Sequence, residues 1–130
     1  MPEGVDERYD IYEETEFKDS IYNHCIKAIS RALNFGENGL PKIGSGDWND
    51  GLNTVGNKQK GESIWLGFFI YDILNKFISI CIKKNDLNRA KEYENIKENL
   101  KKALNTSGWD GRWFKRAYTD ERRANRKYRK

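Results

Sequence analysis

Residues 62–84 constrain the fold of this chain more than any other segment, because apolar side chains fall on nearly every face of the helix they predict. A helix without a polar face is buried on all sides. A membrane span is disfavoured, since Asp72, Asn75 and Lys76 lie near the centre of the segment and such groups are costly in lipid. We therefore expect a core helix. A chain of 130 residues is too short to surround it, which indicates a piece of a larger domain.

One amphipathic helix is predicted before this core helix and one after it. The first begins after Phe17 and is stopped by Gly36, and its apolar side chains recur at spacings of three and four. The other begins at Asp86, a residue type that caps helix N-termini, and has one apolar and one charged face. Because residues 83–85 make a short link, the second and third helices should pack antiparallel. Residues 108–119 are predicted to form a short hairpin or loop.

A long polar loop joins the first two helices. It covers residues 36–61, with the sequence GENGLPKIGSGDWNDGLNTVGNKQKG. A loop longer than about 12–15 residues in a compact domain is usually functional or disordered. Disordered linkers rarely carry apolar residues at this density. We therefore interpret residues 36–61 as an ordered, functional loop.

The centre of this loop combines groups that suit a carbohydrate. Asp47 and Asp50 flank Trp48 and Asn49, with glycines on either side that let backbone approach a ligand closely. A tryptophan offers an apolar face to a sugar ring, and the polar side chains bond hydroxyls. The spacing lacks the alternate ligands and terminal glutamate of a calcium loop. A turn held by its own Asx side chains stays an open alternative.

The composition excludes charge-driven disorder and only weakly favours a nucleic-acid partner. The chain has 24 basic and 20 acidic residues, for a net charge of +4. The basic excess follows Glu121, where a solvated tail is more usual than an arm that binds phosphate backbones. Cys25 and Cys81 have no partner at metal-ligand spacing, so no metal is expected, and free thiols favour a cytoplasmic location. No signal peptide is recognised. The basic residues after Glu121 are Arg122, Arg123, Arg126, Lys127, Arg129 and Lys130.

The stretch GLPKIGSGDWNDGLNTVGNKQKGESIW, residues 39–65, resembles the active-site signature of glycoside hydrolase family 94. The segments DERYDI (residues 6–11) and WDGRWFKRAYTDE (residues 109–121) also match, in the same order, so the resemblance covers residues 3–121. The family contains cellobiose and chitobiose phosphorylases and the C-terminal part of cyclic β-1,2-glucan synthases. The form GSGDWNDG is more similar to the β-1,2-glucan branch. The resemblance implies an all-α fold: a fragment of an (α/α)6 barrel, with about three helices and a long glycine-rich active-site loop.

The resemblance also implies a reaction, the inverting phosphorolysis of a β-linked gluco-oligosaccharide by inorganic phosphate to give an α-sugar 1-phosphate. Asp50 would be the general acid, with a pKa raised enough for protonation at neutral pH. An anionic phosphate needs no general base. Trp48 would line the sugar subsite, and Asp47 and Asn49 would bond sugar hydroxyls. Arg116 is expected either to hold phosphate or to be a structural cation–π partner.

We expect residues 1–121 to be a partial catalytic domain and residues 122–130 a basic tail outside the family pattern. The family's barrel is much larger, so the isolated chain is expected to be inactive and to self-associate through the core helix. No cofactor is expected besides phosphate as co-substrate, and neither a membrane nor nucleic acid is an expected partner. Two alternatives stay open: a carbohydrate-binding remnant without turnover, and a basic helical module that binds nucleic acid. Sugar-dependent tryptophan fluorescence would favour the former, and salt-dependent retention on DNA the latter.

Overall fold

The computed structural model describes residues 16–44, 55–121 and 124–125. The chain divides into two compact units, Met1–Asn34 and Phe35–Lys130. The described part of the first unit contains helix α1, Ile21–Ala32. Its N-cap is Ser20, whose hydroxyl oxygen accepts a hydrogen bond from the Asn23 N–H at 3.1 Å. The helix predicted after Phe17 is therefore confirmed, with its end four residues before Gly36.

Helix α2 covers Ile64–Lys83 and begins two residues later than predicted. The two residues before it form strand β1, Glu62–Ser63. Ser63 is also the N-cap, and its hydroxyl accepts from the Leu66 N–H at 3.1 Å. By length and composition alone α2 could cross a membrane, but one face of it packs in the manner of a core helix. That buried face consists of Ile64, Gly67, Ile70, Leu74, Phe77 and Cys81.

As expected of a chain too short to surround this helix, α2 is only partly covered in the described residues. Its other face is exposed, with Ile82 at 55% and Trp65 at 45% of full exposure. Phe68, Phe69 and Ile80 are exposed to a similar degree. The reason is that α3 covers only one side of α2.

Helix α3 covers Leu87–Asn105 and packs antiparallel to α2, as predicted. Asp86 is its N-cap, and Asn85 makes the turn between the helices with a positive φ of 57°. The Phe77 and Tyr93 rings lie 6.1 Å apart near this turn, whereas the start of α2 lies beside the end of α3. The buried face of α3 consists of Ala90, Tyr93, Lys97, Leu100, Ala103 and Leu104.

A small antiparallel sheet joins the start of α2 to the end of the chain, and the sequence did not predict it. Strand β1 pairs with β2, Ala117–Tyr118, which pairs in turn with β3, Ala124–Asn125. Each strand has two residues, so the described structure is mostly helical and the predicted fold class is confirmed. Strand β3 lies within the predicted basic tail, whose boundary at residue 121 stays a prediction.

The aromatic segment before β2 forms the predicted turn. Trp109 and Phe114 make an isolated antiparallel bridge, and Gly111 between them has a φ of 98°. The Asp110 carboxylate accepts from the Arg112 and Trp113 N–H groups at 3.0 and 2.7 Å. This turn delivers the chain to β2.

Candidate functional site

The described ends of the long loop meet at the sheet. We call residues 36–44 the first stem segment and residues 55–61 the second stem segment. The Ile43 N–H donates to the Gly61 carbonyl at 2.9 Å, and the Ser63 N–H donates to the Pro41 carbonyl at 2.8 Å. The described residues on the two sides of positions 45–54 therefore lie beside each other.

An apolar cluster lies at the base of the stem. Ile43 from the first stem segment and Ala117 from β2 are buried together, and Val55 from the second packs against them. The backbones approach closely here: a Cβ added at Gly56 would lie 2.7 Å from the Cβ of Ile43, and one at Gly61 would lie 2.6 Å from the Cα of Gly56. Glycine is required at both positions, because a side chain at Gly56 would collide with Ile43 of the first stem segment and one at Gly61 would collide with Gly56 of its own segment.

Glu62 holds the first stem segment. It is 2% exposed, and its Oε1 accepts hydrogen bonds from the N–H groups of Asn38 (3.0 Å) and Leu40 (3.2 Å). Its Oε2 accepts a short hydrogen bond from the Asn38 side-chain amide. A Cβ at Gly36 would lie 2.6 Å from the Cγ of Glu62. The turn at residues 36–40 is thus built around a buried carboxylate.

Asp120 holds the second stem segment in the same way. Its Oδ2 accepts from the Lys58 N–H at 2.9 Å, and its Oδ1 accepts from the Lys60 and Gly61 N–H groups at 2.9 and 3.0 Å. The Asp120 N–H donates to the Val55 carbonyl at 3.1 Å. Burial raises the pKa of Asp120, but the three backbone donors and the charge of Lys58 together outweigh burial and lower that pKa.

The predicted loop residues Asp47, Trp48, Asn49 and Asp50 lie outside the described residues. Their predicted roles stay predictions.

Arg116 lies next to the stem. It precedes Ala117 of the apolar cluster, its side chain is exposed, and its carbonyl accepts from the Ile64 N–H at 3.1 Å. In the same described segment, the guanidinium of Arg112 lies over an aromatic ring, 5.6 Å from the Trp113 centroid. An exposed Arg116 beside the loop base is compatible with the predicted phosphate contact.

A polar cavity of about 110 Å³ opens between the stem segments. Lys42 and Lys60 line it from opposite segments, together with Glu62. In the part of the chain that the structure describes, no group of three or more His, Cys, Asp or Glu residues is arranged to hold a metal ion. The remaining lining residues are Gly36, Glu37, Asn38 and Gln59.

Sequence reasoning misses the roles of Glu62 and Asp120. The helical pattern places Glu62 at the start of the core helix, and Asp120 stands out only as part of the WDGRWFKRAYTDE stretch. Both bond mainly to backbone N–H groups, which leave no residue-type signal at the partner positions. The signal that could have indicated Glu62 is an acid between a glycine-rich loop and a helix start. Asp120 lies 59 residues after the end of that loop and has no such signal.

Comparison with known proteins assigns the chain to a family. Residues 2–126 match the model of the Glycosyl hydrolase 94 superfamily, catalytic domain. The chain is 42% identical over 102 residues to the cyclic β-(1,2)-glucan synthase NdvB of Rhizobium meliloti (strain 1021), covering 78% of this chain and 4% of that protein. It is 34% identical over 103 residues to the solabiose phosphorylase of Paenibacillus borealis, covering 78% of this chain and 13% of that protein.

A third relative gives a shorter match. The cellobionic acid phosphorylase of Neurospora crassa is 37% identical over 83 residues, which are 64% of this chain and 10% of that protein. The chain thus spans only a small part of the length of these relatives. The match over residues 2–126 includes both stem segments, the loop between them and β2. On that match the chain belongs to the glycosyl hydrolase 94 superfamily, as part of its catalytic domain.

Proposed function

We propose that this chain is part of an inverting glycoside phosphorylase and that Asp50 is its general acid. The observation that supports this most directly is the stem: the segments on both sides of residues 45–54 are bonded to each other through Ile43 and Gly61. A loop whose ends are held in this way can present a side chain to a substrate at a defined position. Relatives of the chain are named as phosphorylases.

The proposed reaction breaks one bond and forms another. A phosphate oxygen attacks the anomeric carbon from the face opposite the leaving sugar, and the bond from that carbon to the glycosidic oxygen breaks. Protonated Asp50 gives its proton to the departing oxygen, so the sugar leaves as a neutral alcohol. The product is an α-sugar 1-phosphate, because the attack inverts the anomeric centre.

The proposed substrates are a β-linked gluco-oligosaccharide and inorganic phosphate. Trp48 stacks on the sugar, and Asp47 and Asn49 bond its hydroxyls. Arg116 supplies a positive charge for phosphate, supported by its exposed side chain beside the loop base. The similarity to a cyclic β-(1,2)-glucan synthase favours a β-1,2 linkage. The isolated 130-residue chain is proposed to be inactive, because it spans 13% or less of the length of each of these relatives and transition-state stabilisation needs all its groups together.

The test compares Asp50→Asn with Asp47→Asn in protein expressed from the intact gene. General acid catalysis contributes roughly 10²–10⁴ in rate, so Asp50→Asn should suppress release of sugar 1-phosphate from a natural disaccharide severely. An aryl β-glucoside with an acidic phenol needs less protonation and should be partly rescued. Asp47→Asn should slow both substrates by similar factors, since it removes binding rather than proton transfer.

The reverse pattern would refute the assignment of Asp50. If Asp47→Asn showed the dependence on the leaving group, the acid would be Asp47. A carbohydrate-binding role without turnover is the second candidate, favoured by the small share of the relatives' length that the chain spans. It predicts sugar-dependent tryptophan fluorescence with no sugar 1-phosphate from either the chain or the intact protein.

A further inference from the structure

We infer that Glu62 and Asp120 are positioning residues whose carboxylates hold the two ends of the loop that carries Asp50. The inference rests on the proposed function only for the role of Asp50. Neither carboxylate is free to act on a substrate, because each already accepts three hydrogen bonds from the stem. Their effect on the reaction is therefore indirect.

Each carboxylate serves one stem segment. Glu62 receives its N–H groups from Asn38 and Leu40 of the first stem segment. Asp120 receives its N–H groups from three backbone positions of the second stem segment. Residues 45–54 join the two segments, so the chain on each side of that loop is attached to its own carboxylate. The backbone partners of Asp120 are Lys58, Lys60 and Gly61.

Strand pairing holds the two carboxylates relative to each other. Glu62 begins β1 and lies opposite Tyr118 of β2, and Asp120 follows Tyr118 by two residues. Ser63, directly after Glu62, is the N-cap of α2. A shift of either stem segment therefore requires a broken carboxylate hydrogen bond or a displacement of the strand pair together with the start of α2.

A carboxylate is well suited to this task. It accepts up to about four hydrogen bonds, and hydrogen bonds to a charged acceptor are roughly twice as strong as neutral ones. The stem N–H groups lie outside regular helix and sheet, so without these acceptors they would be left unpaired or exposed to water. A misplacement of about 1 Å at a reacting centre can cost about 10²-fold in rate. Loose stem ends would therefore reduce catalysis although neither residue contacts substrate.

The test uses the 130-residue chain and needs no turnover. Amide hydrogen exchange reports on the stem segments, and carbon-13 titration of the aspartate carboxyl groups reports on Asp50. Three variants remove an anchor: Glu62→Ala, Asp120→Ala, and Gly36→Ala, whose new Cβ would displace the Glu62 side chain. We expect the stem amides to exchange at least about tenfold faster and the titration midpoint of Asp50 to move as its surroundings change.

Matched controls and conservative variants make the result decisive. Glu92→Ala and Asp72→Ala remove exposed carboxylates from α3 and α2, and we expect neither readout to change in them. Faster stem exchange with an unchanged Asp50 midpoint would show a merely structural role and overturn the inference, as would no change in exchange. If an alanine variant also loses amide protection in α2 and α3, Glu62→Gln and Asp120→Asn are judged by the same two criteria.

The outcome is separable from that of the proposed function. An unchanged Asp50 midpoint would refute the positioning role and leave Asp50 free to be the general acid. An intact enzyme whose Asp50→Asn variant keeps its activity would refute the proposed function and leave the anchoring of the loop unaffected.

Discussion

The oxygen atoms of Glu62 and Asp120 face different kinds of donor, which makes the two carboxylates unequally replaceable. The Oε2 of Glu62 faces a side-chain amide, that of Asn38, and this amide can exchange its nitrogen and oxygen by turning over. Both oxygens of Asp120 face backbone N–H groups, which cannot turn over. The same chemical change, from carboxylate to amide, therefore has different consequences at the two sites.

We expect Asp120→Asn to destabilise the chain by about 1 kcal/mol more than Glu62→Gln, the cost of one unpaired donor. In Glu62→Gln, the side-chain amide of Asn38 can turn over, and the new NH₂ group can then donate to the Asn38 Oδ1. In Asp120→Asn, the new NH₂ group lies against the Lys58 N–H in one orientation and against two N–H groups in the other. Urea unfolding followed by far-ultraviolet circular dichroism gives both free energies of unfolding. Equal losses, or a larger loss in Glu62→Gln, would contradict this prediction.

Asp120 also makes the stability of the chain depend on pH. Burial raises its pKa, but the backbone hydrogen bonds from Lys58, Lys60 and Gly61 lower it below its usual value of 3.8. The unfolded state therefore takes up the proton at higher pH than the folded state. The stabilisation is complete above the unfolded pKa and is lost as the pH falls through the lower folded pKa.

We expect the free-energy difference between the unaltered chain and Asp120→Asn to be constant above about pH 5 and to shrink below about pH 4. Urea unfolding of both proteins at a series of pH values measures this difference. The amide that Asp120→Asn introduces does not titrate, so the curve of that variant supplies the reference. A difference that stays constant to about pH 2.5 would show that the hydrogen bonds to Asp120 do not lower its pKa.

At the scale of secondary-structure elements, Gly67 of α2 lies close against α3. A Cβ at this position would lie 3.0 Å from the Cδ2 of Leu104 and 3.6 Å from the Cδ1 of Leu100. A Cβ at 3.0 Å requires a small shift of a flexible leucine, whereas a larger side chain must separate the helices. There is therefore little room for a side chain between α2 and α3 at Gly67.

We expect Gly67→Ala to change the free energy of unfolding by less than about 1 kcal/mol, because better helix propensity offsets the contact with Leu104. Gly67→Leu should destabilise by about 1–3 kcal/mol or more, since it overpacks the α2–α3 interface. Ser79→Leu adds a similar side chain to the exposed side of α2 and should be close to neutral. Thermal unfolding of the three variants checks this order, and a neutral Gly67→Leu would contradict the packing.

The elements that the sequence predicted are those with a local signal. Helices α1 and α3 follow from apolar spacing over three or more turns, α2 follows from its nearly continuous apolar run, and the start of α3 follows from its Asp86 cap. Strands β1 and β2 have two residues each, too few for any alternation to be recognised, and their partners lie far apart in the sequence, as in the pair Glu62 and Tyr118. The sequence assigns Glu62 to α2 because glutamate favours helices. Its burial was not expected, because a glutamate is rarely buried without a partner. Its partners lie in a turn 22 to 24 residues earlier.

At the scale of the whole chain, the uncovered face of α2 is the dominant feature. Within the described residues, Trp65 stacks on Phe69 at 5.7 Å, and Phe68 makes an edge contact with Phe114 at 4.9 Å. These rings are each at least 40% exposed. Ile80 and Ile82 extend the apolar surface toward the end of the helix, at 44% and 55% exposure.

We predict that the chain self-associates through this face. Monomeric proteins rarely expose a contiguous apolar surface larger than a few hundred Å², and burying such a surface stabilises by about 25 cal/mol per Å². In sedimentation velocity we expect dimers or larger species when the chain concentration is about tens of micromolar. The apolar area of this surface sets what fraction of the chain associates.

The double variant Phe69→Lys, Ile82→Lys should shift the distribution toward monomer, because each lysine would have to lose its hydration in the contact. Glu92→Lys, which adds a positive charge to the exposed face of α3, is the matched control and should leave the distribution unchanged. If the chain sediments as a monomer at these concentrations, the prediction of self-association is wrong. If the control dissociates as fully as the double variant, the apolar face of α2 is not the contact between copies.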